Sequence, residues 1–471
     1  AYIAGLPQSP FGYTPFTNKG ELKENLEPGL NRQKLVLSRM LKAGSITESQ
    51  YNEAIAYDIT KDFSTKKDFA YEKYPALTTE IEKRSIKILA EYLAGQEGIS
   101  AEEYAKSEDI KNEYATLADE ALRQNGYVIR TTINKGMYDG MNKAKNEYKN
   151  YGYDKNEDVY NSETKQTESI VEPVETGAML IENKTGKILS FVGGRDFSRE
   201  ETNHATAPRP TGSTIKPILV YAPAIELGQI APGSLTLDAP ISIPAGRGKA
   251  YEPNNYGNNF KGLMTVRKAL AGSQNIPAVT TYMGIINQNP LDYLKDMGVT
   301  TVMDSDYGLP AVSISGPTVG ISVEENTNAF ASLANGGKFV DAYMIEKIET
   351  KKGEIIYQHE AVTKDVFKPQ TAYLTIDMMR DVITSGTAVS LNNRIAFRSD
   401  FAGKTGTSND YHDAWFIASN PNVTLGVWTG YDTPKSLNYQ YNGLNYSKRN
   451  IYLWADLINA AYKADQNLVG T

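Results

Sequence analysis

The stretch Pro210–Pro217 constrains this chain most, because it places a serine and a lysine at the start of an apolar segment. Ser213 and Lys216 are one helical turn apart, so a helix that begins here puts hydroxyl and amine on the same face. Pro217 is compatible with a first helical turn, whose N–H groups have no intrahelical partner. The apolar run 218–222 is long enough to bury the helix, and a lysine shielded from water can act as a base. The stretch therefore predicts a serine nucleophile with a lysine partner.

Length and composition limit the kind of protein this can be. At 471 residues the chain exceeds one ordinary core, so we expect two or more domains. Hydrophobic residues make up 40% and charged residues 22%, which is typical of a folded globular protein. The formal net charge of −7 argues against nucleic acid as a partner, because phosphates demand a basic surface.

The sequence offers neither a membrane span nor a recognisable metal site. It has no apolar run of about 18 residues or more, the length that a spanning helix needs. Since the chain begins at Ala1 without methionine or an apolar leader, we expect a processed product or a fragment whose anchor lies upstream. There is no cysteine, and none of His204, His359 and His412 belongs to an H-E-x-x-H pattern. We therefore expect no metal centre and no cofactor.

The first third of the chain is predicted to be mainly helical. Helical spacing covers Leu30 to Lys42, and Thr47 to Gln50 is a capping box that opens a second helix. Tyr127 to Ile133 is a β-branched run typical of a strand, and a further helix is predicted from about Lys135 to Tyr148. Asn150 to Glu168 is polar with almost no aliphatic residues, so we expect a linker or an exposed loop.

From about residue 172 the pattern changes to strands on either side of a helical block. The predicted strands are 176–182, 187–192, 401–407, 414–418 and 424–429. Tyr452 to Tyr462 is amphipathic and suited to cover the sheet, and Trp415 and Trp428 are expected to pack within it. This order predicts an α+β fold with an antiparallel sheet flanked by helices.

Two further motifs accompany Ser-x-x-Lys, and each is weak alone. Ser-x-x-Lys recurs at 64–67 and 162–165, Ser-x-Asn at 390–392 and 436–438, and Lys-Thr-Gly at 184–186. These other occurrences lie in charged stretches or turns. The ordered set Ser213–Lys216, Ser273–Asn275 and Lys404–Thr407 lies on the elements that the chemistry requires, and it reverses the odds against a chance match.

With this ordered set the chain resembles the penicillin-recognising acyl-serine transferases. It is most similar to the class A, bifunctional penicillin-binding proteins. Residues 4–15, with their prolines and Tyr13, are similar to the last characteristic segment of the glycosyltransferase domain, and Gly126 to Ile133 is similar to the linker strand. The resemblance implies a glycosyltransferase remnant at 1–62, a small α/β linker region at 63–171, and a transpeptidase domain with an all-helical subdomain at 172–471.

The resemblance also implies a reaction and its partners. The expected activity is D,D-transpeptidation, in which Ser213 attacks the carbonyl between two D-alanines of a peptidoglycan stem peptide. The expected partners are this donor, an amine acceptor, and β-lactams, which mimic the donor. Glycosyltransferase activity is not expected here, because its catalytic glutamates would lie upstream of Ala1. The expected location is the extracytoplasmic face of a bacterial membrane.

Roles for the remaining motif residues follow from the same resemblance. Lys216 takes the proton of Ser213, Ser273 relays a proton to the leaving amine, and Asn275 holds the substrate amide, both motif side chains pointing into the cleft from an extended loop. Lys404 points toward Ser273 and adds positive charge. Substrate binding is assigned to Thr405, Gly406 and Thr407, where Gly406 leaves room for substrate against the strand. The oxyanion hole is assigned to the backbone N–H groups of Ser213 and Thr407.

Three other activities occur on the same fold: a β-lactamase is disfavoured by the sequence, whereas a D,D-carboxypeptidase and a penicillin-sensing module stay open. A class A β-lactamase needs a Glu-x-x-Leu-Asn loop between the second and third motifs. That string occurs only at Glu27 to Asn31, and Ala388 stands before Leu391 where the glutamate should be. A D,D-carboxypeptidase uses the same nucleophile with water as acceptor. A non-enzymatic penicillin-sensing module is less well supported, because binding alone does not require Lys216.

Overall fold

The computed structural model describes residues 1–17, 21–63, 70–161, 165–244 and 250–470. The chain forms two compact units, Ala1–Thr78 and Thr79–Thr471. The boundary between them falls within the helix Pro75–Gln96. The division at residues 62 and 171 that the sequence suggests stays a prediction.

The first unit is built from helices. Its described helices are Tyr2–Gly5, Pro10–Tyr13, Glu27–Lys42, Glu48–Ala56 and Ala70–Lys73, with 3-10 turns at Leu6–Gln8 and Ile59–Asp62. The predicted capping box is present, because Gln50 N donates to Thr47 Oγ1 (3.3 Å) and Thr47 N donates to Gln50 Oε1 (2.9 Å). These bonds satisfy N–H groups that a helix start leaves free, and so they fix where the second long helix begins.

The centre of the second unit is a five-stranded antiparallel sheet. In order across the sheet its strands are Ala402–Thr407, Asp413–Ser419, Val423–Gly430, Glu175–Glu182 and Ile188–Val192. The predicted α+β class and the antiparallel sheet are confirmed. The strand that carries the third motif lies at one edge, where one of its sides is left unpaired in the sheet.

Helices cover both faces of this sheet and complete the core. The helix Tyr446–Ala464 packs against the helix Lys135–Glu147 and against the sheet. Trp454 anchors it, since its ring is fully buried and its Nε1 donates to Leu425 O at 2.7 Å. The opposite face receives the helix Val323–Ala334. Trp415 and Trp428 are buried within the sheet, as predicted.

A helical block lies between the second and third strands of the chain order and carries two of the three motifs. Its α-helices are Ala222–Glu226, Val266–Ala271, Asn275–Ile285, Leu291–Asp296, Val312–Ser315, Val323–Ala334 and Pro369–Thr384. A short hairpin pairs Leu235–Asp238 with Gly262–Thr265. Residues 245–249 of the loop between these strands lie outside the described residues.

The helix of the first motif differs from the regular α-helix that its sequence suggests. Gly212–Thr214 forms a 3-10 turn, Lys216–Tyr221 a π-helix and Ala222–Glu226 an α-helix. Pro217 and Pro223 lack N–H groups, so the usual bonding pattern cannot run unbroken through this segment. Such π-helical turns are often found at functional sites.

A second hydrophobic core lies under a three-stranded sheet. Val128–Thr131 pairs with Ile345–Glu349, which pairs in turn with Ile355–Gln358. The helices Pro75–Gln96 and Glu108–Asn125 contribute buried side chains to it, among them Leu89 and Ala118, and the strand Ile345–Glu349 contributes Ile348. Strands distant in sequence therefore share one sheet, which no local pattern in the chain indicates.

The prediction of a linker or loop over Asn150–Glu168 is wrong. Lys155–Asn161 and Gln166–Glu172 form an antiparallel ribbon, and residues 162–164 between the two strands lie outside the described residues. The ribbon is mostly solvent-exposed, so the backbone ladder forms without the apolar alternation on which the prediction relied. Lys155 Nζ ties it to Ser436 O at 2.6 Å.

Two other predictions concern residues that are not described. Ser64 and Ser162, the first residues of the other two Ser-x-x-Lys sequences, lie outside the described residues. Among the helices that are described, none combines the length and the apolar composition that a bilayer crossing requires.

Candidate active site

The segment that carries Ser213 is held directly against the edge strand Ala402–Thr407. Trp415 Nε1, from the neighbouring strand, donates to Pro210 O at 2.8 Å. Gly212 has φ +51°, and a side chain there would overlap the backbone of Thr407, so only glycine allows this approach. Ser213 itself is half-buried. The packing therefore brings the backbone N–H groups of Ser213 and Thr407, the predicted oxyanion donors, to neighbouring chain segments.

Lys216 is fully buried, and its ammonium group is bonded to the second motif. Its Nζ donates to Asn275 Oδ1 (2.7 Å), to Ser273 O (2.8 Å) and to Gln274 O (3.2 Å), and it lies 3.5 Å from Ser273 Oγ. Among the described residues, no hydrogen bond joins Ser213 Oγ to Lys216 Nζ. The structure thus brings Lys216 together with Ser273 and Asn275, one turn from Ser213.

The second motif reaches the site through a left-handed residue, not through the extended loop that the sequence suggests. Ser273 has φ +56°, which is uncommon for a residue with a side chain. Asn275 is the first residue of the helix Asn275–Ile285. The left-handed conformation of Ser273 directs its carbonyl and hydroxyl groups and the Asn275 amide toward Lys216. The backbone strain at Ser273 is therefore what allows these three groups to contact one lysine.

Lys404 contacts the same serine. Its Nζ donates to Ser273 Oγ (2.8 Å) and to Thr405 O (2.9 Å), as the predicted direction of this side chain requires. Its side chain is fully buried. The three motifs therefore converge on Ser273. Along the chain, Ser213 lies 60 residues before Ser273, and Lys404 lies 131 residues after it.

Burial changes the acidity of both lysines. It lowers the pKa of Lys404 to about 7. The pKa of Lys216 is lowered well below its usual value, first because burial disfavours the charged form and second because the positive charge of Lys404 is near. Asp238 opposes this shift. A lysine in this environment can be neutral near neutral pH and can accept a proton from a hydroxyl group.

The remaining residues of the third motif have different surroundings. Thr405 is buried, and its Oγ1 lies 2.6 Å from Thr387 Oγ1, whereas Thr407 is half-buried at the strand end. At Gly406 an added Cβ would lie 2.6 Å from Thr211 O. The missing side chain therefore makes room for the Ser213 segment rather than for substrate, which corrects the reason that the sequence suggests for this glycine.

Two residues that the sequence did not single out hold the second motif in place. Asp238 is fully buried and accepts from Asn255 Nδ2 (2.6 Å) and from Lys261 N (2.9 Å). This fixes the orientation of the Asn255 amide, whose Oδ1 accepts from Asn275 N (2.7 Å) and Ile276 N (3.3 Å). Asn255 therefore caps the helix that begins at Asn275. The only sequence signal was a loop rich in Gly, Pro and Asn.

Replacing Asp238 by asparagine is expected to lower the rate of acylation about tenfold. The new amide has one acceptor oxygen where the carboxylate uses two, so either Asn255 Nδ2 or Lys261 N loses its acceptor. Asn255 then loses its fixed orientation and Asn275 its cap. Because Asp238 raises the pKa of Lys216, its removal lowers that pKa and moves the acid limb of the pH–rate profile to lower pH. Stopped-flow acylation across pH measures both effects, and an unshifted acid limb contradicts the assignment.

Among the residues that the structure describes, one cluster of possible metal ligands lies outside the three motifs. Ligand atoms of Glu200, His204 and Asp432 lie within 4.8 Å of one another. Arg209 Nη2 already lies 3.3 Å from His204 Nδ1 and 3.1 Å from Asp432 Oδ1. Burial lowers the pKa of His204 to about 4. A guanidinium ion therefore takes the position beside these groups that a metal cation would need.

The structure thus brings the residues of the three motifs together around two buried lysines. The model of the family described as "Penicillin binding protein transpeptidase domain" matches residues 176–450. The chain belongs to this family, and the resemblance inferred from the motifs is confirmed. It is accordingly a serine enzyme of the peptidoglycan transpeptidase type.

Relatives extend the likeness beyond the matched domain. "Penicillin-binding protein 4" of Bacillus subtilis is 28% identical over 98% of this chain and 67% of its own length. "Penicillin-binding protein 1A" of Clostridium botulinum is 29% identical over 99% of this chain and 54% of its own length. The chain thus spans between about half and two thirds of these curated relatives. The solved structure of penicillin-binding protein 1A from Haemophilus influenzae shares the fold, with a TM-score of 0.69, 19% identity, and coverage of 98% and 79% of the two chains.

Proposed function

We propose that this chain crosslinks peptidoglycan stem peptides as a D,D-transpeptidase, through an acyl intermediate on Ser213. The observation that carries the proposal is that two fully buried lysines, Lys216 and Lys404, both lie beside the hydroxyl of Ser273. Burial of two amines beside one hydroxyl lowers the stability of the fold, because it disfavours their charged forms. Their presence together therefore supports a catalytic role.

In the acylation step Ser213 Oγ attacks the carbonyl between the two D-alanines. Lys216 takes the hydroxyl proton, for which its lowered pKa suits it. The oxyanion accepts hydrogen bonds from the backbone N–H groups of Ser213 and Thr407, each contributing about 3 kcal/mol. The C–N bond then breaks, the terminal D-alanine leaves, and Ser273 relays the proton to its amine.

The third motif binds the end of the donor. The positive charge of Lys404 attracts the terminal carboxylate, and the hydroxyl of Thr407 at the strand end donates to it. Thr405 contributes through the Thr387–Thr405 hydroxyl pair, and Gly406 through its backbone. Asn275 positions Lys216 and, with a second lone pair on its Oδ1, accepts from the substrate amide.

The second half of the reaction transfers the acyl group to an amine. The acceptor amine attacks the ester carbonyl, the Ser213 Oγ–C bond breaks, and the proton returns to Ser213 through Lys216. A β-lactam enters the same first step, because its strained amide occupies the position of the D-alanyl-D-alanine bond. Its ring-opened product stays attached to Ser213.

A donor peptide that ends in D-alanyl-D-alanine, supplied with an amine acceptor, tests the proposal. We expect release of D-alanine together with a crosslinked product, measured by mass spectrometry, and neither from the same peptide that ends in L-alanine. Release of D-alanine without crosslinking identifies a carboxypeptidase instead. A penicillin adduct without turnover of any donor identifies a sensing module. Both of these outcomes contradict transpeptidation.

The location follows from the substrate. Peptidoglycan lies outside the bacterial membrane, so we propose that this part of the protein works at the extracytoplasmic face.

A further inference from the structure

The turn that carries Ser213 has short and irregular backbone bonding. Gly212–Thr214 is a 3-10 turn of three residues, and a π-helix follows it in place of a regular α-helix. Thr214 N donates to Thr211 O at 3.4 Å, which is long for a backbone hydrogen bond. The position of the Ser213 hydroxyl and N–H groups therefore depends on side-chain bonds to this turn.

The side chain of Thr214 makes the shorter connection. Its Oγ1 donates to Thr211 O at 2.9 Å, and this bond closes the turn around Ser213. Thr214 is fully buried. The same carbonyl of Thr211 lies against the edge strand at Gly406, where an added Cβ would be 2.6 Å from it. The Thr214 hydroxyl thus holds the turn at the point where it meets the third motif.

A second buried side chain fixes the direction of this hydroxyl. Asn326, on the helix Val323–Ala334, is fully buried and donates from Nδ2 to Thr214 Oγ1 at 3.0 Å. A hydroxyl has one hydrogen, and that of Thr214 is already directed to Thr211 O. The Thr214 oxygen therefore acts as an acceptor toward Asn326, so the amide must present its N–H. The three residues form one line of hydrogen bonds with a single direction.

The helix that carries Asn326 is fixed at its start and against the sheet. Glu325 N donates to Ser322 Oγ (3.1 Å) and Ser322 N donates to Glu325 Oε2 (3.2 Å), which makes a capping box. Thr327 packs so closely on the middle strand of the sheet that a Cβ on Gly426 would overlap its hydroxyl. The Asn326 amide is therefore held in a constant position relative to the sheet, and it transmits that position to the turn.

The Asn326 side chain itself lowers the stability of the fold. Among the described residues, its buried Oδ1 has no hydrogen-bond partner. A buried polar atom without a partner is unfavourable, whereas an apolar group of the same shape would avoid the penalty. The Thr214 hydroxyl would still keep Thr211 O as its acceptor. An unfavourable oxygen retained beside the nucleophile is typical of a residue that serves function rather than stability.

We propose that Asn326 is a positioning residue for Ser213 and acts through Thr214. Its N–H directs the Thr214 hydroxyl to Thr211 O, and this bond holds the turn in which the Ser213 hydroxyl and backbone N–H face the reacting carbonyl. A looser turn misplaces the attacking oxygen and one oxyanion donor together. The inference rests on the proposed function only in that Ser213 is the nucleophile.

Stopped-flow acylation by a chromogenic cephalosporin tests the proposal, because it gives the dissociation constant of the initial complex and the acylation rate constant separately. For Asn326→Leu we expect the rate constant to fall about thirtyfold, since misplacement of a reacting group by about 1 Å can slow a reaction 10²-fold. The dissociation constant should change little, and the melting temperature should not fall. The acid limb of the pH–rate profile should stay in place, because neither Asn326 nor Thr214 is charged. A lower melting temperature with an unchanged rate constant identifies a structural role and overturns the proposal.

Variants of Thr214 show whether Asn326 acts through this residue. Thr214→Val removes the hydroxyl at nearly the same shape, so it should slow acylation at least as much as Asn326→Leu. Thr214→Ser keeps the hydroxyl and should acylate nearly as fast as the parent. Adding Asn326→Leu to Thr214→Val should slow the reaction no further, because residues that act as one unit are not additive. Multiplied losses in the double variant, or equal rates for Thr214→Ser and Thr214→Val, overturn the proposal.

The matched control is Ser332→Ala on the same helix. Ser332 is buried and its hydroxyl donates to Ala329 O (2.6 Å), six residues beyond Asn326 in the chain. This variant should acylate like the parent even if it melts at a lower temperature. If Asn326→Leu fails to fold, the two Thr214 variants still decide the question. A parent protein that forms no adduct contradicts the proposed function, whereas acylation of Asn326→Leu at the parent rate contradicts only the role of Asn326.

Discussion

Ser213→Ala is expected to abolish covalent labelling by penicillin and all transpeptidation. The parent protein should gain the mass of one penicillin, located at Ser213 by peptide mapping, because the serine oxygen forms the acyl bond. Alanine leaves no attacking atom, and neither Lys216 nor Ser273 can substitute, since both are bonded into the surrounding network. We expect the acylation rate to fall to the detection limit, a loss of at least about 10⁴-fold. Intact-mass spectrometry before and after treatment measures the change.

The other Ser-x-x-Lys sequences provide matched controls. Ser64→Ala and Ser162→Ala remove the same hydroxyl from the same four-residue pattern. Both variants should label like the parent protein, with one adduct at Ser213. An adduct on Ser213→Ala, or loss of the adduct in either control, shows that the nucleophile is misassigned.

The fold could be predicted from the sequence where the signals are local. The strands 176–182, 187–192 and 414–418 are apolar or β-branched runs bounded by turn residues, and each agrees with an observed strand within a few residues. The ribbon at Lys155–Glu172 was missed because its strands are polar. The sheet that joins Val128–Thr131 to Ile345–Glu349 was missed because its partners are far apart in sequence.

The candidate site divides in the same way. The residue types, and the direction in which Lys404 points, follow from motifs and strand alternation. Convergence on Ser273 followed only from the family resemblance, because spacings of 60 and 131 residues carry no geometry of their own. The left-handed conformation of Ser273 and the bonds from Asp238 to Asn255 are tertiary features without a local pattern. The unexpected role of Gly406 has the same cause, since the space beside it is filled by residues 211–214.

Lys216→Met is expected to slow acylation about a thousandfold while it stabilises the protein. Methionine fills a similar volume but cannot accept the Ser213 proton, and general-base catalysis is typically worth 10² to 10⁴. Burial of the Lys216 amine lowers the parent protein's free energy of unfolding, because the folded-state pKa of this amine lies well below the usual 10.5. Between these two pKa values the unfolded state binds more protons, so the parent's free energy of unfolding rises with pH. Thermal melts should therefore show the largest gain for Lys216→Met at acidic pH.

The exposed Lys268→Met is the control, and it should change neither the rate nor the pH dependence of stability. A variant that is slow because it is misfolded would lose stability instead, so the two measurements together identify a catalytic loss. Equal acylation by Lys216→Met and the parent would exclude Lys216 as the base.

The charge of Lys404 predicts in which direction the pH–rate profile shifts if Lys216 is the base. Its positive charge lowers the pKa of Lys216, so Lys404→Met should raise that pKa and move the acid limb of the acylation profile to higher pH. The shift is expected below about pH 7, where Lys404 is charged in the parent protein. Asp238→Asn moves the same limb to lower pH. If Lys404→Met and Asp238→Asn move the acid limb in opposite directions, one titrating group must respond to both charges. Lys216 is that group, because Lys404 lowers its pKa and Asp238 raises it. Shifts of the same sign, or an acid limb that persists in Lys216→Met, would show that another group is the base.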